Sequence, residues 1–228
     1  MSSNPNNPAP KRSGAALATS RRNILFIAQF GILLALEAVV CFTPLGSLRV
    51  IGPIVATLSH IPVIITAVVL GTKAGALMGF FFGLFSFIVW TFTPPNPAIA
   101  FVFTPAYSVG EAGGSYLSLL ICFVPRILIG VVAGSLFSAL SRILKNNLLV
   151  HTISGVVGSL TNTFLVLGGI YLFFGQDFAA ANKLQYQLLL GVIGMTVLTS
   201  GIPEAVLGGI TAYAVGRPLR KMNEKNVG

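Results

Sequence analysis

The chain has 228 residues, 54% hydrophobic and only 8% charged, with a formal net charge of +9. A soluble domain carries about 25% charged residues, so this composition excludes a soluble globule and reads as an integral membrane protein. The positive balance does not point to nucleic acid, because the basic residues fall at the ends of apolar runs and not on one folded face.

Residues 1–22 are polar, rich in Asn, Pro, Ser and Ala, and carry Lys11, Arg12, Arg21 and Arg22. They are expected to form a disordered basic cytoplasmic tail. The apolar run after Arg22 is too long for the core of a signal peptide, and no small-residue cleavage site follows it. Six spans are predicted, at 23–43, 54–71, 73–92, 116–140, 148–175 and 188–215. They make up a membrane domain over 23–216, with 217–228 as a second basic cytoplasmic tail. Lipid offers the backbone no hydrogen-bond partner, so every span is predicted helical. The expected fold is all-α, with six transmembrane helices.

Orientation follows from Lys and Arg. With the N-terminus inside, cytoplasmic segments hold Lys11, Arg12, Arg21, Arg22, Lys73, Arg142, Lys145, Arg217, Arg220, Lys221 and Lys225, whereas outside loops hold only Arg49 and Lys183. This bias predicts both termini in the cytoplasm.

Span 1 carries a stripe of small residues, Ala28, Gly31, Ala35 and Ala38. At ~100° per residue they lie within about 80° of one another, and Glu37 points roughly 140° from the middle of the stripe. The stripe suits either packing within the chain or docking of another membrane subunit. Residues 54–92 read as a helical hairpin turning at Thr72-Lys73, with Gly71, Gly75, Gly79 and Gly83 spaced four apart on one face for close helix packing. The segments 44–53, 93–115 and 176–187 are outside loops. The middle one holds Asn96, Phe101, Phe103, Tyr107 and Glu111, and long aromatic loops on one side suggest lids over an outward-facing site.

Five polar side chains fall well inside spans: Glu37, His60, Arg126, Asn162 and Glu204. All five lie between the midplane and the outer leaflet in the assigned topology. An ion in hydrocarbon costs about 2.5–3.5 kcal/mol on insertion scales, so Arg126 requires a partner: Glu204, Glu37 or an anionic ligand. Pro203 should bend span 6 beside Glu204 and free a carbonyl. With Asn96 and Tyr107 from the 93–115 loop, these residues form the expected ligand-binding set. Cys41 and Cys122 read as small buried hydrophobes.

The chain has no G-x-x-x-x-G-K-[ST] loop for ATP, no zinc spacing and no nucleophile turn. Catalysis, metal binding and a resident cofactor are therefore not expected.

Several runs carry a resemblance: Phe42-Thr-Pro-Leu-Gly46, Ala56-Thr-Leu-Ser-His-Ile-Pro-Val-Ile-Ile65, Leu70-Gly-Thr-Lys-Ala-Gly-Ala76, Gly79-Phe-Phe-Phe-Gly-Leu84 and Val124-Pro-Arg-Ile-Leu-Ile-Gly130. Together they resemble the substrate-binding S component of energy-coupling factor (ECF) vitamin transporters, the pantothenate type most. The resemblance implies a six-helix protein of a prokaryotic cell membrane that captures a vitamin from outside. It also implies docking on a transmembrane coupling (T) subunit and two cytoplasmic ATPases, which drive uptake. The family's alanine-x-x-x-alanine docking motif falls on Gly31 and Ala35, with Gly in the first place. Riboflavin and folate stay open as substrates, because Trp90, Phe101, Phe103 and Tyr107 could stack on a ring system. A membrane enzyme or assembly protein acting on lipid is the alternative from another class.

Overall fold

The computed structural model describes residues 14–46, 48–49, 55–56, 58–109 and 112–227. Glu111, residues 1–13 of the expected tail and Ile54 at the start of the second expected span lie outside them. Helix α1 (Gly14–Phe42) leads into a 3-10 turn, Pro44–Gly46, and a two-stranded antiparallel hairpin, β1 (Leu48–Arg49) and β2 (Val55–Ala56). Helices α2 (His60–Leu70) and α3 (Thr72–Phe92) follow, then a 3-10 helix Pro97–Val102 and a second hairpin, β3 (Ser108–Val109) and β4 (Ala112–Gly113). Helices α4 (Tyr116–Ile143) and α5 (Asn147–Ala181) come next. The last rod runs through α6 (Tyr186–Thr196), α7 (Ile202–Thr211) and α8 (Arg217–Val227), joined by π turns at Val197–Gly201 and Ala212–Gly216.

The protein is thus a helical membrane protein. Among the described residues, five helices are long and apolar enough to cross a membrane: Thr19–Phe42, Thr72–Phe92, Tyr116–Ile143, Asn147–Ala181 and Tyr186–Asn223. The second expected span differs. Its helix has 11 residues, about 16 Å against the ~30 Å of a hydrocarbon core, and residues 55–56 of that run are strand instead. The physical reason is burial. Pro62 to Val68 are all buried, so α2 sits inside the bundle among α3, α4, α5 and the last rod, and an all-round apolar helix suits that place. The other boundaries shift more gently. Helix α1 starts at Gly14, within the stretch assigned to the tail; the 217–228 segment is helical through Val227; and the last expected loop shrinks to 182–185.

Gly71 is the turn between α2 and α3, with φ of +96°, a conformation that favours glycine. It therefore leaves the glycine face to Gly75, Gly79 and Gly83, which back onto α4. A Cβ at Gly79 would overlap the Arg126 carbonyl, and one at Gly130 would overlap the backbone of Gly75. Helices α3 and α4 consequently touch backbone to backbone. The apolar core divides in two. One cluster gathers Val63, Ile64, Met78, Ile129 and Phe137; the other gathers Trp90, Phe101, Phe103, Ile121, Leu167 and Phe178. Residues of both clusters line one cavity together with Arg126, Asn162 and Glu204.

Candidate functional site

Between the two clusters lies a cavity with about 90 Å³ of space for water centres, walled by α1, α3, α4, α5, the last rod and the Pro97–Val102 segment. The end of α1 gives Cys41, and α3 gives Phe82, Ser86 and Trp90. The Pro97–Val102 segment and its flanks give Pro95, Ile99 and Phe103. Helix α4 gives Arg126, α5 gives Asn162, Thr163 and Leu167, and the last rod gives Thr196, Ser200, Gly201 and Glu204.

Arg126 is held by features of its own helix. Pro125 lacks an N–H, so the carbonyl four residues earlier, that of Ile121, has no helical donor. The Arg126 guanidinium takes it, donating from Nη1 to the Ile121 oxygen at 2.7 Å. Its Cζ lies 5.4 Å from the Phe82 ring centre and 5.2 Å from that of Phe103, within the range of cation–π attraction. Phe103 in turn stacks on Trp90 at 4.5 Å. Arg126 is only 4% exposed and its Nε has no hydrogen-bond partner. Among the described residues it makes no salt bridge, so neither Glu204 nor Glu37 serves as its partner. A buried guanidinium held by aromatic faces and one carbonyl, at a cavity wall, is built to receive an acceptor.

The structure brings Arg126, Asn162 and Glu204 to the cavity wall. Asn162 is buried, and its Oδ1 has no hydrogen-bond partner. Glu204 is buried just beyond the Val197–Gly201 π turn. The other expected residues stand behind the wall. Glu37 is fully buried; Cys41 donates its thiol to Glu37 Oε1 at 3.2 Å, and Oε2 has no partner. His60 Nε2 lies 2.9 Å from Ser159 Oγ, tying α2 to α5, while the preceding Ser59 reaches the cavity. Asn96 caps the 3-10 helix, its Oδ1 accepting from the Ala98 N–H at 3.2 Å. Tyr107 is half-buried against the second cluster.

Sequence reasoning passed over Ser59, Ser86, Thr163, Thr196 and Ser200. Spacing held a usable signal for part of this set. Thr196, Ser200 and Glu204 recur every four residues in an otherwise apolar run, which marks one polar helix face. Phe101, named as a possible stacking residue, is fully buried and packs edge-on to Phe174 at 5.9 Å.

The small stripe of α1 faces away from the cavity. Ala28, Gly31 and Ala35 are exposed and Ala38 half-buried, and a Cβ at Gly31 would meet nothing within 4 Å. Ala28, Gly31 and Ala35 are therefore left open by the packing of the described residues.

Comparison with known proteins gives two matches. A family model described as "ECF transporter, substrate-specific component" matches residues 25–216. The pantothenic acid transporter PanT of Lactococcus lactis subsp. cremoris (strain MG1363) is 36% identical over 171 residues, 74% of this chain and 80% of that protein.

Proposed function

The chain belongs to the substrate-specific components of ECF transporters, and on that premise we propose that it captures pantothenate from outside a prokaryotic cell. The family implies a vitamin substrate and a partner energy-coupling module. In our reading that module is one transmembrane coupling subunit with two cytoplasmic ATPases, the chain crosses the membrane six times with α2 as a short inner helix, and both termini are cytoplasmic. The bias of basic residues supports this orientation. It puts the cavity and the Pro97–Val102 segment toward the outside. The chain itself carries out no chemical step and leaves ATP hydrolysis to its partners.

The observation that carries the substrate is Arg126: a buried cation at a cavity wall, without a carboxylate partner among the described residues. An anionic ligand supplies that partner. The relative's name gives pantothenic acid, a small monocarboxylate. The aromatic contacts agree with it. Phe103 has Trp90 on one side and Arg126 over its ring, which leaves no open aromatic slot there for a flavin or pterin ring.

We further propose that the outward stripe of α1, Ala28, Gly31, Ala35 and Ala38, docks on the coupling subunit, since small residues permit close helix approach. The test of function is titration of the isolated protein with pantothenate, riboflavin and folate, with mass spectrometry of small molecules that copurify. Pantothenate alone should bind; preferential binding of riboflavin or folate, or turnover of a lipid by the isolated chain, would overturn the assignment.

A further inference from the structure

The two sides of the cavity differ in hydrogen-bonding sense. On the α4 side stands Arg126, whose guanidinium can only donate. On the side formed by α5 and the last rod, two of the hydroxyls have spent their protons elsewhere. Thr196 donates to the Val192 carbonyl at 2.8 Å, and Thr163 to the Ser159 carbonyl at 3.4 Å. A hydroxyl has one proton and two lone pairs, so what these two threonines can offer the cavity they line is acceptor capacity. Asn162, on the same wall, has a buried Oδ1 without a partner. Glu204 adds a carboxyl to that wall.

We infer that the α5 and last-rod wall, through Asn162, Thr163 and Thr196, reads the hydroxyl groups of the ligand as hydrogen-bond donors, so that the site selects hydroxylated monocarboxylates. The inference rests on the pantothenate reading and deepens it. The ligand's carboxylate lies at Arg126, and its hydroxyls point at the acceptor wall. A buried acceptor left without a donor costs more than an ordinary hydrogen bond contributes. An acid of the same size without hydroxyls therefore leaves this wall unsatisfied, and a second carboxylate in place of the hydroxyls brings acceptor against acceptor.

The test changes the ligand first, so that folding of the protein is not at stake. Each pantothenate hydroxyl is replaced by fluorine, which is close in size but cannot donate, and affinity is measured by calorimetry on the wild-type protein. At least one analogue should bind roughly tenfold more weakly. In Asn162→Leu and Thr196→Val proteins, that penalty should shrink, because the acceptor it depends on is gone. Two analogues that both bind within about threefold of pantothenate overturn the inference and leave the vitamin assignment standing. A full penalty that persists in both variants also overturns it, since the hydroxyls are then read elsewhere. Failure of pantothenate itself to bind overturns the vitamin assignment, and the inference with it.

Discussion

Arg126 donates to the carbonyl of Ile121 at 2.7 Å, the carbonyl that Pro125 leaves without a helical donor. A helix defect and the anchoring of the cavity's cation are therefore one feature. Pro125→Ala restores the missing N–H and puts it in competition with the guanidinium for the same oxygen. Its expected effect is a split. Thermal stability in detergent holds or rises, by up to ~3 kcal/mol for removal of an interior proline, while pantothenate affinity falls about tenfold as the anchor loosens. Affinity at the wild-type level in a stable Pro125→Ala protein would show that the anchor does not matter.

Arg126→Gln should weaken pantothenate binding by one to two decades, the worth of a charge-assisted hydrogen bond at about 1.5–3 kcal/mol. Arg126→Lys should recover only part of this, because an ammonium lacks the planar fork and cannot stack between Phe82 and Phe103 in the same way. Glu204→Gln should not rescue Arg126→Gln, since the two side chains form no ion pair. Paired ligand titration and thermal unfolding check this; rescue of stability by the second change would revive the internal pair.

The glycines of α1 and α3 should respond oppositely to the same small change. Gly79→Ala places a methyl group against the Arg126 carbonyl, so α4 must move, at a cost of about 1–3 kcal/mol or more and with loss of ligand affinity. Gly31→Ala adds its methyl to open space and should raise the unfolding temperature, by the ~0.5–1 kcal/mol that alanine gains over glycine inside a helix, with affinity unchanged. Melting curves of both variants, read side by side, decide the matter.

Replacing Gly31 and Ala35 with Leu should abolish uptake in cells and spare ligand binding by the isolated protein, because the stripe faces away from Glu37 and the cavity. Uptake at the wild-type rate in the double variant would remove α1 from the docking surface.

Topology is open to chemical labelling. Cysteines introduced at Asn96 and Gln185 should react with an impermeant thiol reagent in intact cells, and one at Asn146 should not. The native thiols do not interfere, as Cys41 and Cys122 are buried. Labelling at 146 with protection at 96 would invert the orientation.

The sequence makes legible what depends on repeated spacing. Gly75, Gly79 and Gly83 recur every four residues, and the structure uses that face to bring α4 close. The α1 stripe and Glu37 are separated by angle alone, and the structure keeps them on opposite sides. Arg126 stands out because one cation in an apolar run requires a partner. What depends on the path of the chain stays hidden. The run over 54–71 is as apolar as a span, yet α2 is short because its neighbours bury it, and hydropathy does not distinguish a core from lipid. Thr163 and Thr196 look ordinary because helical hydroxyls bond their own backbone. Their role emerges only when Asn162 and Arg126 are placed across the same cavity.

The π turn at Val197–Gly201 makes the cavity wall depend on residue count as well as residue type. A π turn holds one residue more than the α-helical ladder needs. Deleting a single residue there would let the rod close into plain α-helix with its flanks still in register, because the turn absorbs its extra residue locally. The seven steps then left between Thr196 and Glu204 turn through about 700°, within ~20° of two full turns, so both would still face the same space. Straightening the turn without a deletion is what would separate them, since eight steps of plain α-helix set two side chains about 80° apart.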